Sequence, residues 1–515
     1  MKNRRFWDSP WILSITTAIL LSLSFPPFDL AILQIPAFIL LFRVAAISKT
    51  AREAILYTYP SFILWNLFVT YWLMMATVAG GLAAIFANAA IMVIPLLVIR
   101  KLFSSNLNPV AASFFAAAIW VSYEFLHHNW DLAWPWLTLG NGWSNMINVI
   151  QYISVTGVFG ISFWVVFTAS LLYRYITETS KPILYAAITI FLAFPVLSVF
   201  SSIMQTQEQG DPVEVAIIQP NSDSYQDYGG HGSLEALLDK LLNMSGETVT
   251  ETTDVLIWPE NAIDAALPVN SRYFTTIQDS LEQWNTSLIT GSGYVEYYSE
   301  ENRPAVVQKS QMGRMYNVFN AAFHFDPEKQ TEIYRKGKLV PIVERFPFVD
   351  FFQSLDVFNW IDWGKLSGYG LGVDANNFDV NGSPTPALIC YDSVFPGWVN
   401  KFTQGGAGFL TIITNDGWWG DSNGHLQHFA YARLRAIEQR KWIARSANNG
   451  ISGIISPDGK IQIETEYWTE DAFTFTIYDR EIPTFYTKYG DWFSYLMLLS
   501  SALGIGIICF KKRRD

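Results

Sequence analysis

Seven apolar runs crowd the first 203 residues, near 10–27, 30–47, 55–77, 81–100, 109–127, 157–175 and 183–203, and an eighth lies at 491–510. Each is close to the roughly 20 residues that a helix needs to cross a bilayer. A helix satisfies its own backbone hydrogen bonds in lipid, so runs of this length predict an α-helical transmembrane bundle of about eight spans. The first run could be taken for a signal peptide, but no small-residue cleavage site follows it and further spans come at once. Composition agrees: only 15% of residues are charged, against about 25% in soluble globular chains.

The loops give an orientation. Lys2, Arg4 and Arg5 precede the first run; Arg43, Lys49 and Arg52 surround the turn between the second and third. Arg100 and Lys101 follow the fourth, Arg174 and Lys181 separate the sixth and seventh, and "KKRR" follows the eighth. The alternate loops "FPPFD", "ATVAGG" and "HHNWDLAWPWLTLGNGW" carry no Lys or Arg. The positive-inside rule then puts both termini in the cytoplasm and residues 204–490 on the opposite side. The expected organisation is a helical region over 1–203, an extramembrane domain over 204–490, and a last span with a basic tail over 491–515.

Charge is uneven. Residues 204–510 hold 20 Lys and Arg against 38 Asp and Glu. Such an acidic region excludes a nucleic-acid partner, which wants a basic face, and fits poorly with gripping anionic lipid by charge alone. Two cysteines, Cys390 and Cys509, exclude a disulfide framework.

Residues 204–490 read as α/β. Strands are expected at "VEVAIIQPN" (213–221), "VLIWPE" (255–260), "SLITGSG" (287–293), "NAAFHF" (320–325), "ALICYD" (387–392) and "FLTIITND" (409–416), with a helix at "HLQHFAYARLRAIEQRK" (425–441). Strands that end in polar residues suggest chemistry at the carboxyl edge of a sheet. Three such places matter: Glu260 after "VLIWP", Lys336 with Glu344 in "IYRKGKLVPIVERFPF", and Cys390 in "ALICYD". By itself a lone buried cysteine is most often a small core hydrophobe. A carboxylate, a cation and a thiol are nonetheless the parts of nucleophilic acyl transfer: the first takes the thiol proton and the second stabilises the oxyanion. His425 and His428 are three apart on the expected helix, but no third ligand accompanies them, so no metal is expected. Nothing in the chain calls for an organic cofactor. Asn448, Asn449 and Gly450 read as a turn.

"WPE", "YRKGKLVP" and "ICYD", in this order and spacing, resemble the nitrilase (carbon–nitrogen hydrolase) superfamily. The eight spans, "WPWLTLGN" (134–141) and the long stretch "NDGWWGDSNGHLQHFAYARLRAIEQRKWIARSANNGISGIISPDGKI" (415–461) narrow this to the apolipoprotein N-acyltransferase family. The resemblance implies a nitrilase-like α-β-β-α sandwich beside the bundle. It implies a transfer of an acyl chain from a phospholipid, through a cysteine thioester, to the N-terminal diacylglyceryl-cysteine of an apolipoprotein, in a bacterial inner membrane. By position it makes Cys390 the nucleophile, Glu260 the base and Lys336 the oxyanion cation, with Glu344, Tyr391 and Asp392 in support. This chain departs from the family pattern at "LVPIVE" and at Asp392, where the family commonly has Glu. A family tryptophan after the first strand has no clear match; Tyr225 or Tyr228 could fill its place. The aromatic tract 346–372 is expected to form a mobile, membrane-facing arm, since aromatics suit the lipid interface. Two other readings compete: a tethered amidase with the same three groups, and a lipid-binding or transport module in which Cys390 is core and Glu124 is the intramembrane charge.

Overall fold

The computed structural model describes residues 9–203, 210–266, 271–355 and 361–511. Each of the eight apolar runs is helical. In chain order the first region comprises α1 (Pro10–Leu23), α2 (Gln34–Ile47), α3 (Ala51–Thr70), α4 (Leu73–Ala76), α5 (Val78–Phe103), α6 (Pro109–His127), α7 (Ile153–Thr156), α8 (Phe159–Glu178) and α9 (Lys181–Ile203). Among the described residues, α5, α6, α8, α9 and residues Trp492–Cys509 are long and apolar enough to cross a membrane. The remaining three runs fall short of the expectation for physical reasons. The first stops at Leu23, ahead of Pro26 and Pro27, and the second has only 14 residues of α-helix. Pro cannot continue a helix ladder. α3 has the length, but Arg52, Glu53, Thr58 and Asn66 dilute its apolar character.

Local chemistry sets the helix ends. Thr50 caps α3 by accepting from the Glu53 N–H, and Asn108 caps α6 ahead of Pro109; both are preferred arrangements for a first helical turn. α8 is the centre of the bundle, with 78% of its apolar window buried, whereas α9 is peripheral at 17%.

The α/β region has fifteen strands among its described residues: β1 (Pro212–Gln219), β2 (Val255–Ile257), β3 (Ile263–Ala266), β4 (Ser287–Tyr298), β5 (Gln308–Lys309), β6 (Met315–Phe325), β7 (Glu332–Arg335), β8 (Phe378–Val380), β9 (Ser383–Thr385), β10 (Ala387–Ile389), β11 (Leu410–Thr414), β12 (Ile443–Ala447), β13 (Gly453–Ile455), β14 (Ile461–Glu464) and β15 (Asp471–Tyr478). Helices α10 (Leu234–Thr248), α11 (Arg272–Trp284), α12 (Val349–Gln353), α13 (Trp363–Leu366), α14 (Pro396–Gln404), α15 (Asn423–Gln439) and α16 (Phe485–Tyr489) interleave with them, and α17 (Trp492–Lys511) closes the chain. One sheet runs β15-β1-β2-β4-β6-β5, with β3 beside β4 and β7 beside β6; a second runs β10-β11-β12-β13-β14; β8 and β9 form a small pair.

Alternation along β1 shows why the sheets stack. Val213, Val215 and Ile217 join a core shared with Ile389, Ile412, Ile443 and Ile454 of the second sheet. Ala216 and Ile218 point the other way, to Leu237 and Leu241 of α10 and Ile277 of α11. Successive strand residues face opposite sides, so one sheet buries both faces. The second sheet packs on Phe402 of α14 and on Phe429 and Ala436 of α15. The result is an α-β-β-α sandwich.

The sandwich and the bundle interlock. Trp72 and Trp136, from the helical region, are members of the inter-sheet core. Gln427 of α15 donates to the carbonyls of Pro26 and Val69, and the Val158 N–H donates to Glu438. The expected arm over 346–372 lies outside the described residues at 356–360. Its described part includes α12 and α13, where Val349 and Trp363 pack with Val306 in a small separate core. Phe348 donates its N–H to Asp131 of the helical region at 2.6 Å. The N-terminal basic residues Lys2, Arg4 and Arg5 and the tail 512–515 also lie outside the described residues.

Candidate active site

Three strand ends converge. β2 ends at Ile257, and Trp258 and Pro259 carry the chain to Glu260, which is buried. Gly291 of β4 lies directly behind it. A Cβ on Gly291 would sit 2.6 Å from Glu260 Cα and 2.6 Å from the Asn261 nitrogen, so only glycine lets the strand pass this close. β7 ends at Arg335 and delivers Lys336, only 1% exposed. β10 ends at Ile389 and delivers Cys390, whose φ of 45° is left-handed. That conformation is uncommon for a residue with a Cβ. It turns the chain sharply and sets the thiol apart from the strand.

Lys336 sits between two carboxylates. Its Nζ is 3.2 Å from Glu260 Oε1 and 2.8 Å from Glu344 Oε1. Asn320 of β6 braces the same pair, donating to Glu260 Oε1 at 2.8 Å and to Glu344 Oε1 at 3.1 Å. The second oxygens are held by backbone: Asn415 N–H donates to Glu260 Oε2 at 3.0 Å, and Val340 N–H to Glu344 Oε2 at 2.7 Å. Burial alone would strip the proton from Lys336, but Glu260 and Glu344 reverse this and hold its pKa well above the ordinary lysine value. Burial pushes the Cys390 thiol well up and the Glu260 charge adds to it, while Lys336 opposes. At neutral pH the resting group is a thiol, and a buried thiol needs a base to become a nucleophile.

Tyr391 and Asp392 do not join this cluster. The Tyr391 hydroxyl donates to the Ala133 carbonyl of the helical region at 3.0 Å, and its ring packs on Phe395 and Trp136. Asp392 points beneath the turn. It accepts from Ile389 N–H, from Lys338 N–H at 2.7 Å and from the Tyr334 hydroxyl at 2.8 Å. It thereby ties the Lys336 loop to the Cys390 turn. Burial raises its pKa to about 7 despite the opposing Lys336 charge.

Behind Cys390 lies a polar network that sequence reading missed. Ser393 Oγ donates to the Cys390 carbonyl at 2.7 Å, and His428 Nε2 lies 3.2 Å from the same oxygen. His428 Nδ1 is 2.9 Å from Asp416 Oδ1, and Arg445 pairs with Asp416 Oδ2 at 2.6 Å. All three side chains are fully buried. Burial would raise the Asp416 pKa, but Arg445 and His428 more than reverse it and keep the carboxylate charged. Donor atoms of Cys390, Asp416 and His428 lie within 4.8 Å of one another, yet Asp416 is already neutralised by Arg445. His425, three residues before His428 on the same helix, stacks on Tyr467 at 3.9 Å. Of the two tyrosines considered for the missing tryptophan, Tyr225 packs on Trp418 and donates to its carbonyl at 2.8 Å. Its neighbour Ser224 donates to Asn415, so Tyr225 is linked to the site's rim.

Two family models cover most of the chain. Residues 17–171 match the apolipoprotein N-acyltransferase N-terminal domain, and residues 214–482 match the carbon–nitrogen hydrolase family. An apolipoprotein N-acyltransferase of Chlorobaculum tepidum is 31% identical over 506 residues, spanning 95% of this chain and 94% of that protein. The chain belongs to the apolipoprotein N-acyltransferase family. Further members are similar along the chain: apolipoprotein N-acyltransferase 1 of Treponema denticola is 25% identical over 99% of this chain and 98% of that protein. The apolipoprotein N-acyltransferase of Thermotoga maritima is 26% identical over 79% and 73%. Membership in this family makes the chain an acyltransferase with a carbon–nitrogen hydrolase domain, and the sandwich described above is that domain.

Proposed function

We propose that the protein moves an acyl chain from a phospholipid, through a thioester on Cys390, to the α-amine of the diacylglyceryl-cysteine that begins an apolipoprotein. The observation that carries this reading is the buried Glu260–Lys336–Glu344 cluster brought to the strand end that carries the buried, left-handed Cys390. Glu260 takes the thiol proton, and the thiolate attacks the ester carbonyl. Lys336, kept cationic by its two carboxylates, stabilises the oxyanion. As the tetrahedral intermediate collapses, the C–O bond breaks and Glu260 returns its proton to the departing lysophospholipid. In the second half the α-amine attacks the thioester and Glu260 accepts an amine proton; the C–S bond then breaks to give the amide, and Glu260 passes the proton to the departing Cys390 sulfur, restoring the thiol. Glu344 and Asn320 hold Lys336 and Glu260 in register; Tyr391 and Asp392 hold the Cys390 turn.

In this reading the eight helices cross a bacterial inner membrane, with both termini cytoplasmic and the sandwich on the far side. Basic residues support that orientation. Arg100 of α5 donates to the Ala45 and Ser48 carbonyls at the end of α2, and Arg174 of α8 lies over Phe103. Positive charge is thus gathered at one end of the bundle, while the Trp136 loop meets the sandwich at the other. A site at the bilayer surface receives both acylated substrates without drawing their chains into water.

Purified protein supplied with a phospholipid and a diacylglyceryl-cysteine peptide should yield N-acylated peptide and an equal amount of lysophospholipid. Hydrolysis of soluble short-chain amides without phospholipid, and no peptide product, would favour a tethered amidase instead.

A further inference from the structure

β11 ends where the base and the nucleophile meet. Its last residue is Thr414, and the next, Asn415, sends its N–H to Glu260 Oε2 at 3.0 Å. On one side β11 runs parallel to β10, with Ile413 opposite Ile389. One residue further, the same register brings Thr414 alongside Cys390. On the other side Thr414 lies opposite Ala447 of β12, and its carbonyl accepts from the Asn448 N–H at 3.0 Å. Thr414 is fully buried, and a β-branched side chain is stiff about its first torsion. Its hydroxyl oxygen is therefore held in place from both flanks, while the hydroxyl hydrogen is free to turn.

That hydroxyl has two partners. It donates to Asp416 Oδ1 at 2.7 Å, and it is hydrogen-bonded to the Cys390 sulfur, where it favours the thiolate. Asp416 does not depend on it, since Arg445 pairs with Oδ2 at 2.6 Å and His428 with Oδ1 at 2.9 Å. The thiolate has fewer friends. The charged groups facing the sulfur are Glu260 beyond β2, Lys336 beyond β7 and Asp416 beyond β11, with His428 of α15 behind it. Glu260 and Asp416 oppose a sulfur anion and Lys336 favours it, but the Lys336 ammonium is already shared between two carboxylates. The sulfur, an Asp416 oxygen and a His428 nitrogen lie within 4.8 Å of one another, so the thiolate forms close to a standing negative charge. A buried anion without hydrogen bonds is costly, and a hydroxyl donating to it makes one of the stronger kinds of hydrogen bond.

We propose that Thr414 is a further catalytic residue, whose hydroxyl turns from Asp416 to the Cys390 sulfur as the thiolate forms and turns back once the sulfur is acylated. Glu260 still takes the thiol proton; the hydroxyl hydrogen stays on Thr414, and no bond between heavy atoms changes in the turn. In the second half the same turn steadies the charge that gathers on sulfur as the C–S bond breaks, before Glu260 returns the proton. The inference deepens the acyl-transfer reading and takes its substrate from it, but the ionisation of the thiol is measurable without any substrate.

The test uses the full chain carrying Cys509→Ser, so that Cys390 is the one thiol left. Its rate of alkylation by iodoacetamide is followed from about pH 6 to pH 10, a range that brackets an ordinary thiol. Thr414→Val should raise the pH at which alkylation sets in and lower the rate at pH 7 about tenfold, the scale of one lost hydrogen bond to a charged group. Formation of the acyl-enzyme from a defined phospholipid, timed by intact-protein mass spectrometry, should slow by a similar factor. Thr414→Ala carries the same prediction and serves if the added methyl of the first variant disturbs Asp416. Thr414→Ser, which restores a hydroxyl, should recover most of the lost rate. A Thr414→Val protein with the parent's pH profile, or a Thr414→Ser protein as slow as Thr414→Val, would overturn the assignment and leave Thr414 a brace for Asp416. A parent that forms no acyl-enzyme, while its alkylation still differs from that of Thr414→Val as expected, would refute the transfer reading and uphold the role of Thr414.

Discussion

Cys390 is buried, left-handed and protonated at rest, and each property asks something of its neighbours. Glu260 must lie ready to take the proton, and it is fixed by Asn320, Lys336 and the Asn415 N–H. Asn320 bonds both carboxylates, so Asn320→Ala should lower kcat by about 100-fold, the scale of a misplaced catalytic group, with little change in folding. Steady-state kinetics with thermal unfolding on the same samples checks this; an unimpaired kcat would contradict it. Asp416 serves the fold behind the cysteine. Its folded pKa lies below the ordinary value near 3.9, so its contribution to stability is present above that value and is lost as pH falls towards the folded one. Asp416→Asn should therefore be less stable than the parent at pH 7, with the gap closing as the pH falls below about 4. Thermal midpoints from pH 3 to 8 measure it, and parallel curves would contradict it. Asp392 works with the opposite sign: its pKa is raised to about 7, so the stability it confers is full below the ordinary carboxylate value and fades as the pH rises through 7.

At the scale of elements, strand ends place the chemistry and strand contacts keep it there. Gly291 of β4 makes one such contact, 2.6 Å from Glu260 Cα once a Cβ is added, so Gly291→Ala should push Glu260 out of register. Overpacking of this kind costs about 1–3 kcal/mol, and activity should fall more than stability does. Activity and thermal midpoint measured together decide it; a variant as active as the parent would show that β4 does not set the Glu260 position. The strands that deliver Glu260 and Cys390 were legible because each is a short apolar run that stops at a charged or polar residue; β7, which delivers Lys336, is only "EIYR", too short and too polar to read as a strand. The network of Asp416, His428 and Arg445 was not. Its members sit at the end of β11, within α15 and within β12, 12 and 17 residues apart for the two pairs made by His428, and such spacing has no helical or strand period. β12 itself escaped notice because Arg445 and Ser446 interrupt its apolar run, "IARSA". In the structure both face buried partners, Asp416 and the Ile218 carbonyl. Tyr391 and Asp392 were given supporting roles by their match to the family pattern; in the structure Tyr391 bonds the Ala133 carbonyl and Asp392 bonds the Lys338 N–H and the Tyr334 hydroxyl, so both act on the turn that carries Cys390.

On the scale of the whole molecule, the sandwich is built around pieces of the bundle. Trp136 touches Trp72, Tyr391, Trp419, His428 and Tyr431, joining the helical region to the turn that carries Cys390. Trp136→Ala should cost about 3–5 kcal/mol and lower activity even where the protein still folds. Thermal unfolding and transfer assays at a permissive temperature measure both; loss of neither would mean that the two regions are merely tethered. The central claim is that Cys390 carries the acyl chain and that Glu260 activates it. Intact-protein mass spectrometry after incubation with a defined phospholipid and no acceptor tests this most directly, with Cys390→Ser and Glu260→Gln in parallel. The account predicts a hydroxylamine-sensitive gain of one acyl chain, absent from both variants and discharged by a diacylglyceryl-cysteine peptide. No adduct on the parent protein, or an equal adduct on Cys390→Ser, would contradict it.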